Sequence, residues 1–139
     1  IVHYVEAQAD GRFFIGGRFT QVVDVARGYV ARLNADGTLD AGFDPNVEVA
    51  DPVNDRISCI AVQPNGAIVI GGTFIRVGGA ARNNVARLDA SGNLDTGFDP
   101  NIAGDGCGDI AVQSDGMIVY GGDVTTVGGV ARNNIARVR

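Results

Sequence analysis

One short pattern, written three times, constrains this chain more than any other feature. The middle copy reads Ile57-Ser-Cys-Ile-Ala-Val-Gln63, Pro64-Asn65-Gly66, then Ala67-Ile-Val-Ile-Gly-Gly72. The last reads Asp109-Ile-Ala-Val-Gln113, Ser114-Asp115-Gly116, then Met117-Ile-Val-Tyr-Gly-Gly122. The first reads Val5-Glu-Ala-Gln8, Ala9-Asp10-Gly11, then Arg12-Phe-Phe-Ile-Gly-Gly17. A second block returns as well: Arg82-Asn-Asn-Val-Ala-Arg-Leu88 matches Arg132-Asn-Asn-Ile-Ala-Arg-Val138, and more loosely Arg27-Gly-Tyr-Val-Ala-Arg-Leu33. A third block, Leu39-Asp-Ala-Gly-Phe-Asp-Pro-Asn46, matches Leu94-Asp-Thr-Gly-Phe-Asp-Pro-Asn101 and has no third copy. The chain therefore reads as one repeat domain over residues 1–139, with units at approximately 1–56, 57–106 and an incomplete 107–139. The interval from Gln8 to Gln63 exceeds that from Gln63 to Gln113 by five residues, so Glu48 to Arg56 is expected to form a longer surface loop.

Each unit reads as a small antiparallel sheet of four strands. Asp10-Gly11, Asn65-Gly66 and Asp115-Gly116 are dipeptides that suit a tight hairpin turn, whose central residues need positive φ. A second turn falls at Asp36-Gly37 and Ser91-Gly92, and the Leu-Asp-x-Gly-Phe-Asp segment is expected as strand four. The loop between strands two and three carries Gly78-Gly79 and Gly128-Gly129, but Val23-Asp24 in the first unit, where a different loop shape is expected. Strand two is the informative one. Phe13-Phe14-Ile15, Ile68-Val69-Ile70 and Ile118-Val119-Tyr120 are continuously apolar, whereas a sheet with one wet face alternates apolar and polar residues. Such strands need cover on both faces, which a stack of like sheets provides.

These residues carry a family resemblance. The succession Ile-Ala-Val-Gln-x-x-Gly-x-Ile-Val-x-Gly-Gly, Arg-Asn-Asn-x-Ala-Arg-Leu and Gly-x-Leu-Asp-x-Gly-Phe-Asp-Pro resembles the delta-sixty β-propeller repeat across nearly the whole chain. The resemblance implies an all-β fold of tandem four-stranded antiparallel blades, about three of them. It also implies membership of large, mostly extracytoplasmic bacterial or phage-associated assemblies without an assigned catalytic role. Propellers close with about 4–8 blades, so three blades imply a longer propeller, completion of a ring by further copies, or a different three-fold arrangement such as a β-trefoil or β-prism.

Composition narrows the chemistry. The net charge is −5 and all eleven basic residues are arginine, so no basic stripe exists for nucleic acid. The recurring arginines read as structural ties, their planar forks matching carboxylates and carbonyls. No apolar run approaches the ~20 residues of a membrane-spanning helix. The chain begins Ile1-Val2-His3, which is expected of a mature product or a piece of something longer. Cys59 and Cys107 stand at non-equivalent distances from Gln63 and Gln113; two buried thiols is the plain reading and a disulfide between neighbouring units the alternative.

The inventory disfavours catalysis. His3 is the sole histidine, and Ser–His or Cys–His work needs an imidazole beside the nucleophile. Asp40/Asp44 and Asp95/Asp99 could in principle act as glycosidase pairs, but a duplicated position serves the geometry of its unit more readily than one active site. Asn34, Asp36 and Asp40, and Asp89 with Asp95, partly resemble oxygen-rich calcium loops; the competing reading is an aspartate-capped turn. No helix follows any Gly-Gly, so a nucleotide fingerprint is not met. The candidate binding edge is Arg82, Asn83 and Asn84 with Arg132, Asn133 and Asn134, whose planar donors suit sugar hydroxyls or peptide backbone. The expectation is a non-enzymatic structural or interaction module of an extracytoplasmic, secreted, cell-surface or virion assembly. Its partners would be itself, further blades or other structural proteins, and it would carry no obligatory cofactor. The alternative is a small repeat lectin that binds glycan, with calcium as its one candidate ion.

Overall fold

Short turns at the Asp-Gly and Asn-Gly dipeptides organise everything else. In the computed structural model, which describes residues 1–139, each brings two strands together in an antiparallel hairpin. The expected pair of positive-φ central residues is not formed. Gln8, Gln63 and Gln113 pair with Arg12, Ala67 and Met117 around three-residue loops in which only the glycine is left-handed, because the Asp or Asn side chain accepts the N–H two residues on. The first unit holds β1 (Val2–Ala7), β2 (Phe13–Gly17), β3 (Gln21–Val22), β4 (Val25–Ala26) and β5 (Val30–Leu33). Grouped by pairing, so that residues 47–56 and 102–106 go with the unit that follows them rather than the one before, the second holds β6 (Val47–Glu48), β7 (Ile57–Val62), β8 (Ile68–Gly72), β9 (Arg76–Val77), β10 (Ala80–Ala81) and β11 (Val85–Leu88). The third holds β12 (Ile102–Val112), β13 (Ile118–Val127), β14 (Val130–Ala131) and β15 (Ile135–Val138). There is no helix.

The main sheets run β1-β2-β5, β7-β8-β11 and β12-β13-β15, with the apolar second strand central in each. A shorter pairing lies beyond the Gly-Gly step: β6-β9-β10 in the second unit and the outer halves of β12 and β13 with β14 in the third. Residues 49–56 separate β6 from β7, whereas the corresponding strand of the third unit runs unbroken from Ile102 to Val112. The five-residue surplus therefore interrupts a strand. In the first unit β3 and β4 pair only with each other.

The sheets stack in sequence: β7 lies on β1 and β2, and β12 lies on β7 and β8. No comparable contact joins the first unit to the third. Alternation along β8 shows why its strand is apolar throughout. Ile68 and Ile70 enter a core shared with Phe14, Val30 and Phe43, while Val69 enters a second core with Ile110, Ile118 and Tyr120. Both cores lie at seams between units. The disulfide Cys59–Cys107 joins the second unit to the third across the second seam. Gly71 makes room for it, because a Cβ there would strike both sulfurs.

Two further expectations need correction. The Leu39–Asp44 and Leu94–Asp99 segments are not fourth strands: only Leu33↔Leu39 and Leu88↔Leu94 pair, as single bridges. The Asp40 and Asp95 side chains accept the Gly42 and Gly97 N–H groups and turn the chain out of the sheet. That sends Phe43 and Phe98 into the seams.

The Val23-Asp24 loop does not differ in shape. Val23 (φ 48°) and Asp24 (φ 63°) take the same left-handed pair as Gly78 and Gly79 (58° and 81°) and Gly128 and Gly129 (55° and 80°). The Val22↔Val25 pairing leaves two residues for the turn, and such a turn fixes the sign of φ whatever the side chain. A β-branched residue there is strained. Val23→Gly is therefore expected to raise unfolding stability by about 1 kcal/mol, and the opposite exchange, Gly78→Val, to lower it by a similar amount. Urea titration of the two variants beside the wild type measures both.

Candidate functional site

The repeated arginines and the connecting segments meet at each seam. Arg32 Nε donates to Asp40 Oδ2 at 2.8 Å, and Arg87 Nε to Asp95 Oδ2 at 2.8 Å. The same two guanidinium groups lie over the rings of Phe43 (4.8 Å) and Phe98 (4.6 Å). Arg27 and Arg82 stand 3.4 and 3.6 Å from Asp44 and Asp99, and donate to the Ala41 and Thr96 carbonyls. The carboxylates considered as acid–base pairs are thus each held by an arginine of their own unit.

The expected oxygen-rich loops are closed on themselves. Asp36 accepts from the Thr38 N–H and hydroxyl, and Asn34 donates to the Thr38 hydroxyl. Asp89 accepts from the Ser91 and Asn93 N–H groups and from the Asn93 side chain. Asp40 and Asp95 are engaged by Arg32 and Arg87 as described. No group of three or more His, Cys, Asp or Glu side chains is placed to share a metal ion.

The Arg-Asn-Asn triplet occurs in two environments. In the second unit Arg82 is buried. Asn84 has φ 63° and its Nδ2 donates to the carbonyls of Ile102 and Gly104, which start the third unit's first strand. Asn83 Nδ2 donates to Asn101 Oδ1 at 2.7 Å. The triplet therefore ties one unit to the next. In the third unit Arg132, Asn133 and Asn134 are all exposed, and Arg132 bonds only the adjoining Ala131 carbonyl. Asn134 keeps the same backbone, at φ 64°; Tyr29 occupies that position in the first unit at φ 69°.

Asn83 and Asn84 also edge a cleft of about 570 Å³ between the second and third units. The 49–56 loop contributes Asn54, Asp55 and Arg56 to it, and the third unit contributes Asp105. Asp55 is occupied by the Ala50 and Asp51 N–H groups, and the Ser58 hydroxyl donates to the Cys107 carbonyl. Arg56 and Asp105 are exposed charges at the rim. Motif reasoning singled out Asn83 and Asn84 but not these two, because neither belongs to the repeat.

The end sheets present a different kind of surface. Val5, Ile15 and Ala31 lie in register on one face of the first sheet, as do Ala7, Phe13 and Leu33. Val5 is 58 % exposed, yet the equivalent Ile60 and Ile110 are 1 % and 7 % exposed. On the opposite side of the stack Ile135 is 62 % exposed, while the equivalent Val30 and Val85 are fully buried. Each of these two repeat positions is thus buried wherever a neighbouring unit covers it, the Val5 position being open only on the first unit and the Ile135 position only on the third.

A family model described as "Domain of unknown function (DUF5122) beta-propeller" matches residues 8–43, 63–98 and 113–139. One match falls within each of the three units, and the matches support propeller-type blades over a β-trefoil or β-prism. No curated protein and no solved structure matches the chain.

The arginine–aspartate ties make acid stability readable. Hydrogen bonding from Arg87 holds the Asp95 carboxyl below the ordinary carboxylate range, with help from the Gly97 N–H against a burial cost. At Asp40 burial opposes ionisation, but the Arg32 hydrogen bond and charge outweigh it and the group is also held low. A depressed folded-state value stabilises above the unfolded pKa, about 4, and the benefit disappears as pH falls through the folded value. Arg87→Gln is expected to cost under about 1 kcal/mol at pH 7, since the pair is partly exposed. The gap from wild type should shrink at about pH 3, read from urea midpoints; a gap independent of pH would contradict the assignment.

Proposed function

We propose, for a chain that belongs to the family of β-propeller domains of unknown function described as DUF5122, a non-enzymatic role as a repeat module that works by stacking on like units. The observation that carries this is the exposure pattern: Val5 and Ile135 are open, and their counterparts in every covered unit are buried. Apolar sheet surface of this kind gains roughly 25 cal/mol per Å² when covered. The residue pattern's likeness to delta-sixty repeats supports the same reading, as does the engagement of the groups that chemistry would need. His3 is exposed on β1, both cysteines are joined, and the repeated aspartates are bound to arginines.

The Cys59–Cys107 disulfide supports an extracytoplasmic setting, since such bonds persist in oxidising compartments. A secreted, cell-surface or virion-associated scaffold built of many blades fits these properties.

Sedimentation equilibrium tests the stacking role. The wild-type chain is expected to show concentration-dependent mass above the monomer, and Val5→Asp or Ile135→Asp should return it to monomer with an unchanged circular dichroism spectrum. A wild-type chain that stays monomeric up to its solubility limit removes this reading.

A second reading, carbohydrate binding, is supported by the polar cleft at Asn83, Asn84, Arg56 and Asp105. If it holds, a glycan array gives a positive signal that Asn83→Ala and Asp105→Asn each reduce about tenfold, and an array negative for every glycan discards it.

A further inference from the structure

Residues 49–56 interrupt a strand that in the third unit runs unbroken from Ile102 to Val112, so the blade geometry does not require them. The segment is braced from within. Asp55 Oδ2 accepts the Ala50 and Asp51 N–H groups, and Asp51 accepts the Val53 N–H and the Asn54 side-chain amide. It is also fastened from outside: Arg18 of the first unit donates to the Val53 carbonyl, and the Arg56 N–H donates to the Thr73 hydroxyl. Its last three residues, Asn54 to Arg56, therefore form a fixed part of the wall of the cleft between the second and third units.

That wall carries a cation without a carboxylate. Arg12, Arg27, Arg32, Arg76, Arg82 and Arg87 all stand in ion pairs, whereas the exposed guanidinium of Arg56 makes only a long bond, 3.4 Å, to the Asn54 carbonyl. The surroundings are electropositive although the chain carries a net charge of −5: desolvation, then the charges of Arg56 and Arg18, hold the His3 imidazole below its ordinary pKa. The rest of the lining offers hydrogen-bonding groups. Asp105 is an exposed carboxylate that forms no pair, not even with Arg56 in the same cleft. Asn83 spends its Nδ2 on Asn101 and keeps Oδ1 as an acceptor; the Thr73 hydroxyl accepts from Arg56 and keeps its proton to give. Ile75, 42 % exposed, adds an apolar patch.

We propose that this cleft binds an acidic saccharide, a sugar unit that carries a carboxylate, with Arg56 taking the carboxylate and Asp105 and Asn83 taking hydroxyls. A planar guanidinium meets a carboxylate with two parallel hydrogen bonds. Hydroxyls need acceptors as well as donors, and the Asp105 oxygens, Asn83 Oδ1 and the Thr73 hydroxyl supply both. Ile75 suits the apolar C–H face of a sugar ring. The volume of about 570 Å³ falls within the roughly 300–1,000 Å³ of small-ligand sites. The assignment rests on the carbohydrate reading of the same cleft and adds to it the ligand's charge and the role of Arg56.

Titration calorimetry of the full chain tests it with trisaccharides ended by glucuronic, galacturonic or N-acetylneuraminic acid, each beside its carboxyl-reduced form. At least one acid is expected to bind saturably, about tenfold or more tighter than its reduced form. Arg56→Gln should bring the acid down to the level of the reduced form with an unchanged circular dichroism spectrum, and Arg56→Lys should keep part of the preference. Added salt should erode the preference as well. Asp105→Asn should weaken acid and reduced forms together, and Arg137→Gln, outside the cleft, should change neither. Equal binding of acid and reduced forms, or a preference that survives Arg56→Gln, overturns this proposal and leaves carbohydrate binding standing. Binding of no form removes both.

Discussion

Everything in this molecule depends on sheets that are apolar on both faces. A lone three-stranded meander of this composition would leave both sides of β8 wet. Ile68 and Ile70 face one seam and Val69 the other, and all three are fully buried because two neighbours are present. Each such side chain is worth roughly 1.5–3 kcal/mol when removed from water. No unit can recover that alone, so stability resides in the seams more than in the units, as in other quasi-one-dimensional arrays.

Burying apolar faces does not by itself set how two sheets are placed, since the effect has no direction. The polar ties at the seam margins supply direction. Arg32 holds Asp40, covers Phe43 and donates to the Ala90 carbonyl of the next unit's turn. Gln63 donates to the Gly116 carbonyl across the second seam, and Tyr120 donates to the Asn84 carbonyl. Burial pushes the Tyr120 hydroxyl above its ordinary pKa, so it remains a donor throughout the physiological range. The disulfide adds a covalent tie to the second seam alone. The first seam instead carries the tilted Phe14–Phe43 pair, with centroids 5.2 Å apart.

Much of this was legible in the residues. Asp-Gly and Asn-Gly dipeptides announced where the hairpins turn, although only the glycine of each is left-handed, and three consecutive apolar residues announced two-sided burial. The features that escaped were those that break strict alternation. Cys59 lies opposite Gly71 and Cys107 opposite Gly122, on opposite sides of a bulge that both units share, so the two cysteines occupy non-equivalent repeat positions and still meet across the seam. A count along the chain cannot see an extra residue that the ladder skips. The Leu-Asp-x-Gly-Phe-Asp segments looked like strands by composition, but the aspartate oxygens capture backbone N–H groups two residues on and bend the chain away. The Arg-Asn-Asn triplet looked like a surface motif, and in the third unit it is one. In the second it is consumed by the neighbouring unit, a difference set by what lies beside it and not by its own residues.

That dependence on context has a consequence for assembly. The leading face of a unit is aliphatic and aromatic, with Val5, Phe13, Ile15 and Leu33 in the first, whereas the trailing face brings arginines that need aspartates beside them. Two leading faces pressed together would bury no ion pair, and two trailing faces would oppose like charges. Under the proposed stacking role, association would therefore run head to tail. A head-to-tail contact is not self-limiting: it yields a ring when the rotation per unit divides a full turn and an open filament when it does not. Two such chains would bring six blades, inside the range of about 4–8 over which propellers close. Each seam also takes one phenylalanine and an arginine-held aspartate from the connecting segment, so adhesion between units depends on that segment as well as on the sheets.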